Sequence, residues 1–193
     1  QRMYSLLQIN NHIFNSFIVQ FWRDILKNFD LKTSLITEQM VSDILVILPN
    51  KLIKKSWDDD LMGFEFDGNE DYEIFYYKFR AEILDLLRAL TLHNQSVCFL
   101  FASSFVIKLC VPNQPNYEPQ LFEWEQAALL LDSVCNKLTK LEDFASNGLT
   151  LLSYLLSPLK TGDLEIISNQ LTCISALSIF LPYANDPNIW NCV

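Results

Sequence analysis

The sequence predicts an all-α protein: an α-α superhelix, a HEAT/ARM-like solenoid of stacked antiparallel helix hairpins. Three observations carry this. Apolar residues recur at helical spacing in segment after segment, and none alternates as a convincing strand does. Gly and Pro number only four and seven in 193 residues, too few for the many tight turns of a sandwich or barrel. Hairpins starting near residues 12, 70, 119 and 163 come close to the ~40–47-residue period of helical repeats. One hairpin cannot bury both of its faces, so stacking is needed to supply the second. The chain therefore reads as one solenoid fragment of about three and a half hairpins, 12–57, 70–110, 119–159 and 163–193, with an acidic inter-repeat loop at 57–69. It begins and ends in the middle of apolar patterns, which is expected of a piece of a longer protein.

Residues 12–29 form an amphipathic pattern through Ile13, Phe14, Phe17, Ile18, Phe21, Ile25 and Leu26. Thr33 or Ser34 offers a side-chain oxygen to cap a helix over 34–57. Pro49 lies inside that helix and predicts a kink or break, because proline lacks the amide that bonds back one turn. Lys51, Lys54 and Lys55 fall on one face of its second half. Asn69 is the expected cap of a helix over 70–92, with Glu70 and Asp71 at the positive end of its dipole. Tyr72, Tyr76, Phe79, Ile83, Leu87 and Leu90 mark its inner face. Residues 95–110 are apolar on all sides, which predicts a buried helix. Pro112, Pro115 and Pro119 punctuate the next loop. Helices follow at 119–140, at 144–159 and, from Asp163, to about Leu181, where Pro182 ends the run. Asp186-Pro187 predicts one more helix start.

Charge is concentrated in one place. Trp57–Glu73 (WDDDLMGFEFDGNEDYE) holds eight of the 23 acidic residues and none of the 14 Lys and Arg, so the remainder is close to neutral within a net charge of −9. Asp58, Asp59, Asp60, Asp67, Glu70 and Asp71 are the candidate contacts for a basic partner, since clustered charge of one sign speeds association and selects partners. Phe64 and Phe66 alternate with acids, and in an extended segment both would pin the loop to the stack. A metal is the weaker reading. Asp58, Asp60 and Gly63 mimic part of a calcium loop but lack its bidentate acid, and Asp58-Asp59-Asp60 falls short of the DDxxD of magnesium-dependent all-α synthases.

Catalytic signatures are absent from the sequence: no phosphate-binding Gly loop, no GxSxG, no HExxH. His12 and His93 sit near helix ends and read as partly exposed capping residues. Cys98, Cys110, Cys135, Cys173 and Cys192 show no CxxC spacing and read as free thiols, mostly buried. The longest apolar stretch, Val97–Ile107, is short of the ~20 residues that span a bilayer, so no membrane contact is expected. The chain is read as a non-enzyme with no cofactor.

Three ordered motifs add a resemblance. Phe64-Glu65-Phe66-Asp67 with Glu70-Asp71-Tyr72 leads into an aromatic helix (Ile74-Phe75-Tyr76-Tyr77) with a basic Arg80. Ile47-Leu48-Pro49 with Lys51-Leu52 precedes it. Phe122-Glu123-Trp124-Glu125-Gln126-Ala127, continued by Leu129 to Val134, follows. Across residues 47–134 the order and spacing resemble the middle of the exportin-5 family of karyopherin-β transport receptors. The resemblance implies a segment of a long HEAT-repeat receptor that shuttles between nucleus and cytoplasm. It implies Ran in its GTP form, nucleoporins, and double-stranded hairpin RNA or protein cargo as partners of the full-length receptor. If second helices line the concave face, Lys51, Lys54, Lys55, Lys108 and Lys160 are candidates for RNA phosphate contacts. The alternatives are an α-solenoid adaptor for proteins only and, more distantly, an all-α magnesium-dependent synthase.

Overall fold

The computed structural model describes residues 3–9, 11–56, 63–110, 120–156 and 162–184. Among these every regular element is helical. A 3-10 turn, Met3–Gln8, leads into α1 (His12–Lys27), α2 (Phe29–Leu35), α3 (Glu38–Leu52), α4 (Asn69–His93), α5 (Gln95–Cys110), α6 (Leu121–Cys135), α7 (Leu141–Leu155), α8 (Leu164–Leu177) and a second 3-10 turn, Ser178–Tyr183. The contacts divide into two compact units, residues 1–98 and 99–193.

In the first unit α1 packs chiefly against α4, and α3 packs against α4 and the Met3–Gln8 turn. The apolar face of α1 differs from the expected one. Ile18, Val19, Trp22, Ile25 and Leu26 are buried, whereas Ile13, Phe14, Phe17 and Phe21 form an exposed stripe. A helix that is apolar over more than half its circumference satisfies the period in either orientation, and packing against α4 chooses between them. The buried Glu82 of α4 ties the pair: its carboxylate accepts from Ser16 Oγ at 2.7 Å and Gln20 Nε2 at 3.2 Å. On the same seam, Arg23 meets Asp85 at 3.3 Å.

Three boundaries depart from expectation for local reasons. The first helix stops at Lys27, because Asn28 accepts from Leu31 N–H and caps the separate short helix α2. Thr33 and Ser34 therefore cap nothing; their hydroxyls bond back to carbonyls of Phe29, Asp30 and Leu31, and Thr37 caps α3 instead. Pro49 breaks no helix. It is buried within α3, which runs on to Leu52.

In the second unit α6 packs most extensively against α8, and α7 against α8 and the Ser178–Tyr183 turn. Trp124, Phe144, Leu151, Cys173, Leu177 and Phe180 are core residues, with Phe99 ring centroids 5.2 Å from Phe144 and 5.7 Å from Phe180. Asp163 caps α8, as the sequence predicts, by accepting from Glu165 and Ile166 amides. The expected helix 119–140 ends early at Cys135, that at 144–159 starts earlier, at Leu141, and that at 163–181 shortens to Leu164–Leu177; residues 119 and 157–159 lie outside the described residues. Pro182 falls inside the closing 3-10 turn, and the α-helix has already ended at Leu177. Asp186-Pro187 lies outside the described residues.

The helical run Leu164–Tyr183 meets the length and composition of a membrane span, which the apolar run 97–107 does not. Only part of that run is covered by α6 and α7: Cys173, Ala176, Leu177 and Phe180 are buried, whereas Leu164 and Leu171 are exposed. The buried Gln170 side chain donates to Leu155 O at 2.7 Å and so caps the end of α7. Gln170→Ala leaves that carbonyl unpaired in the core, and a loss of ~1–3 kcal/mol is expected in urea unfolding.

Cys98, Cys135 and Cys173 are buried and Cys110 half-buried, all as free thiols. Burial pushes the first three up to about 12 and Cys110 to about 11, so they stay protonated and unreactive. Cys192 lies outside the described residues.

Candidate functional site

The acidic segment meets the basic end of α3 within the first unit. Residues 63–65 make a turn, so the strand-like alternation expected for Phe64 and Phe66 does not arise. Phe64 is 93% exposed and pins nothing, while Phe66 is 6% exposed. Phe66 packs with Tyr72 and Phe75 at 5.3 and 5.0 Å between ring centroids, and with His12 at 6.0 Å.

Glu65, next to that anchor, reaches the start of α1. Its Oε2 accepts from the amides of His12 at 2.7 Å and Ile13 at 3.3 Å, and lies 3.5 Å from His12 Nδ1. The first amides of a helix have no acceptor within it, and the helix dipole favours a carboxylate there. Glu65 thus serves α1 together with Asn11, whose side chain accepts from Phe14 N–H. His12 is the first helical residue rather than the cap, and its ring also meets Tyr72 edge-on at 5.5 Å.

The other helix ends are tied in the same way. The buried Tyr76 hydroxyl donates to Leu52 O at the end of α3. Lys54, in the extended stretch after α3, pairs with Glu73 of α4; their hydrogen bond raises the lysine pKa and lowers that of the glutamate. The α4 start is also corrected: Gly68 precedes the helix, Asn69 is its first residue, and Asn69 bonds Glu73 instead of capping. Glu70 and Asp71 occupy the first turn as expected. They and Asp67 are exposed, with Asp71 Oδ2 accepting from Asp67 N–H at 3.4 Å. Asp58, Asp59 and Asp60 lie outside the described residues.

Among the expected lysines, Lys51 is half-buried in the last turn of α3 and Lys55 is exposed beyond it. The predicted shared helix face does not form, because α3 ends at Leu52, before Lys54 and Lys55. Lys51 Nζ sits 3.5 Å from Ile9 O. Lys108, in the second unit, pairs with Glu123 at 2.7 Å. Lys160 lies outside the described residues. His12, Lys51, Lys55, Tyr72, Tyr76 and Phe79 help line a pocket of about 110 Å³. Among the described residues no cluster of His, Cys, Asp or Glu could hold a metal ion.

Burial is the largest influence on His12 and lowers its pKa from 6.5; Glu65 opposes this, while Lys55 and Lys51 reinforce it. The unfolded chain therefore takes up a proton at a pH where the folded chain resists it. Stability carries no His12 penalty above pH 6.5 and falls as the pH drops below it, until the folded imidazole protonates. The melting temperature is expected to fall as the pH drops below 6.5. His12→Phe should remove part of that slope.

Compared with family models and with curated proteins, the chain matches none.

Proposed function

We propose that the chain is a non-catalytic segment of an exportin-5-type transport receptor, built as stacked hairpins and acting through its surfaces. The observation that carries the stacking is a neighbour relation. The first helices of successive hairpins pack on each other, α1 on α4 in one unit and α6 on α8 in the other. The exposed apolar stripe of Ile13, Phe14, Phe17 and Phe21 supports it, being the kind of face that an adjoining hairpin covers in a stack.

Within such a receptor, this segment favours contact with a basic protein over RNA. Lys54 and Lys108 are already paired with Glu73 and Glu123, whereas Asp67, Glu70 and Asp71 are exposed together at the start of α4. An exposed acidic edge raises association rates with basic partners in a salt-dependent way. The test is a pull-down of the full-length parent with Ran locked in its GTP form, with and without a double-stranded RNA hairpin. An RNA-dependent gain in Ran binding is expected; its absence contradicts the cargo assignment. Asp67→Asn with Glu70→Gln and Asp71→Asn should slow association with a basic partner and flatten its salt dependence. Unchanged rates would leave these acids a solvated edge.

A further inference from the structure

The geometry points to a binding site for a single phosphate group in the pocket at the end of α3. The inference is independent of the export reading, because it rests on this pocket alone. Lys51 supplies the first argument. Its ammonium is half-buried, has the Ile9 carbonyl at 3.5 Å, and meets no carboxylate at ion-pair distance among the described residues. Burial and the neighbouring Lys55 both lower its pKa. A cation withdrawn from water without a counter-charge is costly, and an anion that enters beside it recovers that cost.

The second argument is convergence. Lys55 and His12 line the same pocket, and Lys54, paired with Glu73, does not. Among the described residues Glu65 lies against His12, and its Oε2 is committed to the α1 amides and the His12 ring. Tyr72 and Tyr76 form part of the wall. Apolar ring surface lowers the local dielectric and strengthens a charge contact made there.

Size then selects the ligand. One water needs ~10–15 Å³ of such space, and sites for drug-sized ligands or cofactors run to ~300–1,000 Å³. About 110 Å³ suits one tetrahedral oxyanion and leaves no room for a base or sugar. Two lysines and an imidazole match a doubly charged phosphate better than chloride. The phosphate is either free or carried on a phosphorylated side chain.

The experiment titrates inorganic phosphate into the chain at constant ionic strength, with sodium chloride as balance, and follows the melting temperature and the 31P linewidth. A saturable rise in melting temperature with phosphate-specific line broadening is expected. Lys51→Met should weaken phosphate binding by about tenfold or more, as truncating one partner of a desolvated charge contact does, and Lys55→Met, at an exposed lysine, by a smaller but measurable factor. Lys54→Met should leave binding unchanged. Should Lys51→Met fail to fold, the exposed Lys55 still carries the comparison. A phosphoserine peptide supplies the second arm: competition well below the inorganic phosphate concentration identifies a side-chain source, and equal or weaker competition identifies free phosphate. No phosphate-specific rise, or the same rise in the Lys51 and Lys55 variants as in the unaltered chain, overturns the proposal.

Discussion

Phe66→Ala is expected to lower the stability of the first unit by ~3–5 kcal/mol, as truncating a buried phenylalanine does. Two effects add. The ring leaves water on folding, and its removal opens a cavity among Tyr72, Phe75 and His12 that rigid rings fill poorly. Ring pairs at these separations add ~0.5–1.5 kcal/mol beyond the area they bury. The loss also spreads, because Phe66 holds its neighbour Glu65 against the start of α1. Phe66→Leu keeps most of the volume but loses the ring pairs, and should cost less than Phe66→Ala and more than Phe64→Ala. Phe64→Ala, at a residue 93% exposed, should stay within about 0.5 kcal/mol of the unaltered chain. Urea unfolding followed by circular dichroism ranks the three. Equal effects of the Phe64 and Phe66 truncations would contradict the described packing.

Gly148→Ala carries the second large effect, in the other unit. The added methyl carbon would lie 2.2 Å from Cδ2 of Phe180 and 2.6 Å from its Cγ. The ring cannot swing aside cheaply, since Phe180 is fully buried and packs edge-on against Phe99. Alanine gains up to ~1 kcal/mol of helix propensity over glycine in the middle of α7. Overpacking costs ~1–3 kcal/mol and more where backbone or whole rings must shift. The clash is with three ring carbons, so a net loss of about 2 kcal/mol is expected. Phe180→Leu combined with Gly148→Ala should be more stable than the sum of the single changes, because the smaller side chain vacates the contested space. A stabilised Gly148→Ala protein would mean that the helix and the closing turn are not this close.

The helices themselves were legible because their signals are local. The apolar period marks α3 to α8, and the Asp163 oxygen marks the start of α8 by bonding amides two and three residues on. Asn28 carried an equally local signal for α2, masked by the apolar run that continues across it. What could not be read is set by distance along the chain. Glu65 is 53 positions from the His12 amide that it serves, and no spacing rule connects them. Gly148 and Phe180 likewise meet only through the docking of the closing turn on α7. Phe64 and Phe66 are separated by a turn that the alternating pattern does not announce. The lysine group was visible as charge, but its division into a paired Lys54, a half-buried Lys51 and an exposed Lys55 depends on where α3 stops.

Residues 63–73 of the acidic segment are therefore a fastener on their inner side and an exposed edge on their outer side. Glu65, Phe66 and Glu73 tie α1, α3 and α4 together, and Asp67, Glu70 and Asp71 remain outward. Amide hydrogen exchange at His12 and Ile13 tests this most directly. First-turn amides have no acceptor within their own helix and ordinarily exchange freely. Both should be protected in the unaltered chain and lose that protection in Glu65→Ala, while amides in the middle of α4 lose much less. Free exchange of His12 and Ile13 in the unaltered chain, or protection that survives Glu65→Ala, would contradict the account.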